Sequence, residues 1–297
     1  MAPRHLALLI LINVVWGFNF VAAKVGVDEI SPLLFTAVRF SLLAVLLSPW
    51  LRWPTGQVLP VLGVAMFSGG LHFAIMFTAL SLAADVAPVA IATQLTVPFS
   101  TILSVIFLHE RIGWKRTAGI VLAFGGVMTM GFSPSAFLYV EALGLIVIAA
   151  FLFAIGMILM RGLRDVGGLQ LQAWLALLSV PVLVPATLLF ETDHLAILEA
   201  ASWQAWGAIL YTAIGATIIG HTSMFFLLQR YPVTSIVPMT LLAPVLGAGF
   251  GVWLLDDTLN WQMVLGAVIT MVGVGIIVLR NAKKKAPPIA VPPGPVT

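Results

Sequence analysis

The chain contains no cysteine and little charge. The first lack excludes disulfides and thiolate metal sites. The second is more informative. Charged residues make up 8% of the 297 positions, against roughly 25% in a soluble domain. Hydrophobic residues make up 61%, and the mean hydropathy is +1.12. No soluble fold could cover so much apolar surface, so the bilayer has to act as the solvent. The net charge of +3 comes from bases scattered between apolar runs rather than gathered in a patch, which argues against a nucleic-acid partner. Enzyme motifs are missing too. His109, Glu110 and Arg111 do not make a zinc helix, because no second histidine follows His109 by four residues. No apolar run holds paired aspartates, and none has a carboxylate near its middle for a proton or sodium relay. This favours a facilitator or exchanger over a strongly coupled pump. No cofactor is expected.

What is present is a series of apolar runs. A transmembrane helix needs roughly 20 apolar residues. Ten runs qualify: 5–27, 32–50, 57–82, 86–108, 114–132, 142–162, 169–190, 203–228, 233–255 and 261–280. The first is long and is interrupted by Asn13 and Asn19, which fits a retained span better than a cleaved signal. The last 17 residues, 281–297, are a basic patch followed by a proline-rich stretch and read as a disordered tail.

The loops carry a charge asymmetry. Arg4, Arg52, Arg111, Lys115, Arg116, Arg161, Arg164, Arg230, Arg280, Lys283, Lys284 and Lys285 all fall on the N-terminal side, twelve of the fourteen bases. The opposite side carries Asp28, Glu29, Asp85, Glu141, Glu191, Asp193, Glu199, Asp256 and Asp257. The positive-inside rule then puts both termini in the cytoplasm of an inner (plasma) membrane protein. Lys24 lies near the outer end of the first run and can snorkel toward Asp28. Arg39 is different. Seven residues into its run, it lies about 10 Å deep.

The two halves of the chain match. Pro98 and Pro244 are 146 residues apart, as are Glu110 and Asp256. Trp114 and Trp261, Gly119 and Gly266, and Gly126 and Gly273 are 147 apart, which one inserted loop residue explains. Trp16 aligns loosely with Phe153, 137 residues on, and His72 falls within two residues of equivalence with His221. An odd number of spans per half means that the second half runs inverted. The expectation is an all-α integral membrane protein of ten transmembrane helices in two inverted five-helix repeats, 1–132 and 133–280. Inverted repeats with broken helices at the midplane characterise secondary transporters. Pro98 and Pro244 would then both lie at the bilayer centre as a hinge or cavity wall.

Several stretches carry a family resemblance. WGFNFVAAK (16–24) and SPLLFTAVRF (31–40) occur early, VPFSTILSVIFLHERIGWKRTAGIVLAFGGV covers 97–127, and APVLGAGFGVWLLDDTLNWQMVLGAVITMVGV repeats that pattern over 243–274. Together they resemble the EamA-type members of the drug/metabolite transporter superfamily across residues 5–280. The resemblance implies ten helices in two inverted repeats and export of small metabolites, often amino acids, with exporters of aromatic and other neutral amino acids the nearest in character. The second half departs from the pattern, with Asp256-Asp257 where the family commonly has Gly-Glu.

Candidate cavity residues are polar or aromatic groups near the midplane. Trp16 and Asn19 share a helix face, Trp to stack on a flat ligand and Asn to bond an amino or carboxylate group. The alternative for both is packing plus an interhelical hydrogen bond. His72 and Met76 are spaced i, i+4 and also share a face. Thr93, Gln94 and Pro98 cluster at the expected break, with Gln94 the leading candidate because an amide is costly in lipid. Phe153, His221 and Phe225 follow, and Met239, Thr240 and Pro244 mirror the first cluster. As a set, these methionines and aromatics suit a neutral, partly apolar solute. Arg39 could hold a substrate carboxylate, but the family resemblance gives a structural role more weight. The glycines are expected to let helices approach closely. The expected unit is a monomer whose partners are the bilayer and a small-molecule substrate. The leading function is alternating-access export of neutral amino acids with aromatic, large apolar, Met or Thr side chains. A carrier of purines or quaternary-amine and drug-like cations is the second possibility. A lipid scramblase or structural membrane protein is the third.

Overall fold

The computed structural model describes residues 2–107, 109, 112–131, 140–160, 162–163, 166–228, 230–231 and 237–283. The expected tail beyond Lys283, the link 132–139, the stretch 232–236 and the basic residues Arg111, Arg161 and Arg164 lie outside the described residues.

Among the described residues the fold is helical throughout, with no strand. Helix α1 spans Pro3–Glu29 and α2 spans Pro32–Leu46. Each has a proline in its first turn, where a missing donor costs nothing. The second run was expected to reach residue 50, but α2 stops at Leu46 and a 3₁₀ turn, Ser48–Trp50, follows. Pro49 explains the stop, because it has no N–H to carry the helical ladder on to the Val45 carbonyl four residues back. Next come α3 (Val58–Val64) and α4 (Leu71–Leu82), joined by a π-helical segment, Ala65–Gly70. Then α5 (Val86–Ala92) and α6 (Thr96–Phe107) flank a 3₁₀ segment, Thr93–Leu95. Helices α7 (Trp114–Gly131), α8 (Val140–Met160) and α9 (Gly168–Phe190) precede a short surface helix, α10 (His194–Ala200). Helices α11 (Trp203–Leu210) and α12 (Thr222–Leu228) flank a second π-helical segment, Tyr211–His221. A second 3₁₀ segment, Val237–Leu241, leads into α13 (Leu242–Leu254), and α14 (Trp261–Lys283) closes the fold, three residues beyond its expected end.

Among the described residues six helices are long and apolar enough to cross a membrane, and Pro32–Leu46 and Met239–Leu254 are shorter apolar helices. Their outward faces carry Val45, Leu188, Leu189 and Phe190, all largely exposed. Leaving such groups bare has no cost only where lipid surrounds them. Exposed tryptophans lie at or near helix ends: Trp50, Trp53, Trp114, Trp203, Trp253 and Trp261. Tryptophan is enriched at membrane interfaces.

The tightest packing joins α7 to α14. A Cβ on Gly119 would meet the carbonyl of Gly273 at 2.8 Å, and one on Gly126 would meet the carbonyl of Gly266 at 2.6 Å. These contacts are reciprocal, because Gly119 matches Gly266 and Gly126 matches Gly273 in the sequence. The helices run antiparallel, and Thr270, the counterpart of Ala123, donates its hydroxyl to the Ala123 carbonyl at 3.4 Å. Self-matching contacts of this form are what a two-fold axis through an interface produces. The main core gathers Phe35, Phe77, Leu80, Val86, Leu95, Ile146 and Ala149 from α2, α4, α5, the first 3₁₀ segment and α8.

Candidate functional site

Four departures from the α-helix come as two matched pairs. The 3₁₀ segment Thr93–Leu95 corresponds, at the proline spacing, to Met239–Leu241 within the second 3₁₀ segment. The π segment Ala65–Gly70 corresponds, at the histidine spacing, to part of Tyr211–His221. Short 3₁₀ stretches and π-bulges inside long helices recur at hinges and functional sites. Pro98 and Pro244 are buried, but they sit in the first turns of α6 and α13 rather than at the breaks. The displacement has a simple cause. A proline cannot donate to the carbonyl four residues back and clashes with it, so the irregularity falls on Gln94 and Thr240, each four residues before its proline.

A histidine at the end of one π segment, His221, and one just beyond the other, His72, each meet an aromatic ring. His72 packs on Phe153 with ring centroids 4.7 Å apart and planes at 42°. His221 packs on Trp16 at 5.2 Å and 51°. Phe153 and Trp16 align loosely between the two halves, so the two contacts are alike in kind. His72 Nδ1 donates to the Ala149 carbonyl at 2.9 Å, which leaves Nε2 as the acceptor. Trp16 Nε1 donates to the Ala216 carbonyl at 3.2 Å. Gly220 makes room for that indole, since a Cβ there would lie 2.5 Å from Trp16 Nε1.

Arg39 is 2% exposed. Its Nη2 donates to Thr217 Oγ1 at 2.8 Å. The guanidinium carbon lies 4.3 Å from the centroid of Phe73, 5.0 Å from that of Phe40 and 5.6 Å from that of Phe77. Phe73 also touches His72 edge-on at 4.8 Å, so the arginine and one histidine share a wall. Nε and Nη1 are buried without a hydrogen-bond partner. Thr217 was not singled out in the sequence. A threonine among alanines and isoleucines gives no sign that a π turn will aim it at an arginine 178 residues away.

The other candidates distribute as follows. Asn19 is half-buried, with its Oδ1 buried and unpartnered. Met76 is buried in the main core. Thr93 and Gln94 are half-buried at the break, with Thr93 bonded back to the Ala90 carbonyl at 2.7 Å. Met239 is exposed and Thr240 half-buried at the second break. The Phe225 side chain lies outside the described residues. A separate recess of about 460 Å³, walled by Pro88, Ile91, Val245, Met263 and Ala267 among others, is almost wholly apolar and has no polar group to orient a solute.

Four of the acids expected on the outer side, Glu29, Asp85, Glu191 and Asp257, accept hydrogen bonds from backbone amides. Asp257 Oδ2 accepts from the Val86 and Ala87 amides at 2.8 and 3.2 Å, capping α5. Asp85 returns the bond by accepting from the Thr258 amide at 3.0 Å. Asp256 has φ of +56°, the left-handed conformation that glycine ordinarily supplies. The Asp-Asp pair therefore does what a Gly-Glu pair would do: the first residue turns the chain and the second presents the carboxylate. Burial pushes the Asp257 carboxyl above its ordinary value, opposed by the Val86 and Ala87 amides. Glu191 accepts from the Leu33 and Leu34 amides, both at 2.8 Å, and from the Ser31 and Thr187 hydroxyls at 3.0 and 2.7 Å. Lys24 and Asp28 pair at 2.5 Å, as expected.

An all-helical chain with lipid-suited outer faces, tryptophan at its helix ends and irregular segments in its interior is a multi-pass membrane protein of the transporter class. It matches the EamA-like transporter family over residues 4–132 and again over 141–279, and it belongs to that family. A protein of Escherichia coli (strain K12) named a probable amino-acid metabolite efflux pump is 30% identical over 294 residues, covering 96% of this chain and 98% of its own. One of the same name from Salmonella typhimurium (strain LT2) is 31% identical, covering 91% and 93%. An uncharacterized transporter of Archaeoglobus fulgidus is 27% identical, covering 90% and 95%. A solved crystal structure superposes with a TM-score of 0.61 at 18% identity, covering 95% of this chain and all of that one, which shows a shared fold.

Proposed function

We propose that this chain exports small neutral amino acids across the inner membrane by alternating access. In this reading ten spans form two inverted five-helix repeats with both termini in the cytoplasm. The observation that carries the reading is the matched set of irregular segments, Thr93–Leu95 with Met239–Leu241 and Ala65–Gly70 with Tyr211–His221. Irregular backbone at membrane depth is tolerated where protein or a water-lined path surrounds it. The reciprocal glycine contacts of α7 and α14 and the double family match support the inverted repeat. The names of the two bacterial relatives support amino acids as cargo.

The mechanism follows from the placement. The 3₁₀ segments leave carbonyls outside the α-helical ladder, and these together with Gln94 offer polar contacts to a substrate backbone. The histidine–aromatic pairs offer flat apolar walls to its side chain. Rocking one repeat bundle against the other about the two breaks would open this region first to one face and then to the other.

Counterflow in proteoliposomes tests the proposal. Vesicles loaded with unlabelled solute receive a trace of labelled phenylalanine, methionine, threonine, aspartate, adenine or choline. The wild type is expected to accumulate the neutral amino acids. Gln94→Ala and His72→Ala are expected to lose at least about tenfold, equivalent to some 1.4 kcal/mol, while remaining monodisperse in detergent. Uptake of choline or adenine instead would replace the cargo. Uptake of nothing by folded protein would refute transport.

A further inference from the structure

Arg39 has no business in a purely mechanical account of the bundle. A buried cation costs several kcal/mol unless it is paired, and an arginine within a membrane span is costly on any scale. The usual remedy is an acid. Among the described residues the guanidinium makes no ion pair, and Lys24–Asp28 is the pair that forms. A guanidinium has five N–H donors in one plane. One nitrogen bonds Thr217, while Nε and Nη1 are buried and empty-handed. The rings of Phe73, Phe40 and Phe77 stabilise the cation through its π-contacts, but a ring accepts nothing from an in-plane N–H as a carboxylate would.

The near-symmetry of the molecule sharpens this. The histidine–aromatic contact, the glycine seam and the irregular segments all occur twice. The arginine does not. Its counterpart helix, α9, contains no lysine or arginine over Gly168–Phe190. The second half therefore packs the same pair of helices without a buried charge, and helix packing alone does not call for one.

We propose that Arg39 is the carboxylate-recognising residue of the transport site. Resting on the amino-acid reading above, this sets the substrate class: solutes must present a carboxylate to Nε and Nη1, and the same apolar body bearing only an amine is refused. Nε and one Nη form the edge that binds carboxylates in a two-pronged manner. The charge is held beside His72 through their common neighbour Phe73, so the carboxylate would enter next to His72. This departs from the structural role to which the family resemblance gave more weight for Arg39.

The test compares three probes that share a benzyl group: phenylalanine, 3-phenylpropionate, which lacks the amine, and phenethylamine, which lacks the carboxylate. In wild-type vesicles, 3-phenylpropionate is expected to inhibit labelled phenylalanine counterflow at concentrations at least about tenfold below those of phenethylamine. Arg39→Gln is expected to raise the phenylalanine KM by about 10- to 100-fold and to erase the difference between the two inhibitors. Arg39→Lys, which keeps the charge without the two-pronged edge, should fall between. Equal inhibition by both analogues in the wild type, or an unchanged KM in folded Arg39→Gln, overturns the proposal. If these variants fail to fold, the wild-type inhibitor comparison decides alone. If no amino acid undergoes counterflow, the amino-acid reading falls by itself. Thermal-shift measurements on detergent-solubilised wild type then judge Arg39 separately: stabilisation by 3-phenylpropionate and not by phenethylamine supports the anion site, and an equal or absent response sinks it.

Discussion

Replacing Gly126 with leucine is expected to leave little folded protein. A Cβ at this position would run into the Thr270 hydroxyl and backbone nitrogen and would lie 2.6 Å from the Gly266 carbonyl. Two of these obstacles are backbone atoms of the facing helix, so no rotamer change relieves the clash. Helices α7 and α14 would have to separate. Membrane helices lack a hydrophobic drive to associate and depend on close packing of this kind, so the loss falls on the main source of attachment between them. Overpacking in cores costs typically 1–3 kcal/mol and occasionally more. A displaced backbone puts this case at the upper end, about 3 kcal/mol or beyond. Gly125 is the control, because a Cβ there meets nothing within 4 Å. Gly125→Leu is expected to stay within about 0.5 kcal/mol of wild type, as surface changes do. Size-exclusion yield and melting temperature in one detergent compare the pair. Equal behaviour of the two variants would show that the α7–α14 seam is not where the structure puts it.

Glu191→Ala is the second change with a large expected effect. This carboxylate closes the N-terminus of α2, whose first amides have no partner within the helix. It accepts from two of those amides and from the Ser31 and Thr187 hydroxyls. Alanine removes four bonds at once and also the negative charge that the helix dipole favours at that end. Lost caps cost about 0.5–2 kcal/mol, and an unsatisfied, partly buried donor costs about 1–3 kcal/mol. Water and lipid headgroups will recover part of this, leaving a loss of about 2–4 kcal/mol. Glu191→Gln retains one acceptor oxygen and should lose about half as much. Because α2 carries Arg39, the alanine variant should also weaken phenylalanine transport more than its loss of folded protein accounts for. Thermal unfolding and counterflow normalised to folded protein separate the two effects. A variant as stable as wild type would mean that Glu191 does not hold α2.

How much of this was readable from the chain depends on the distance over which each feature is specified. Apolar runs and loop charges are local properties, and the helices fall within a few residues of the expected runs. Span ends moved where local chemistry intervened, as at Ser48-Pro49. The half-chain match of Pro98 with Pro244 pointed to paired breaks, but the breaks lie at the carbonyls those prolines cannot serve. The π segments were not anticipated, although Gly69, Gly70, Gly215 and Gly220 lie within them, because glycine permits a register change without dictating one. The meeting of Arg39 with Thr217, and of Glu191 with α2, joins residues more than 150 positions apart. Nothing in a single sequence encodes such pairings in readable form. The Asp256-Asp257 departure from the family pattern became intelligible only from the backbone, where Asp256 takes up the conformation of the missing glycine.

The central claim is that the broken segment around Gln94 is reached from both sides of the membrane in turn. The cysteine-free chain makes this directly measurable, since a Gln94→Cys variant carries a single thiol. An impermeant maleimide is applied to right-side-out and to inside-out vesicles, with and without phenylalanine. The account predicts labelling from both faces, slowed by phenylalanine in each case. Labelling from neither face, or from one face alone under every condition in folded protein, would contradict it.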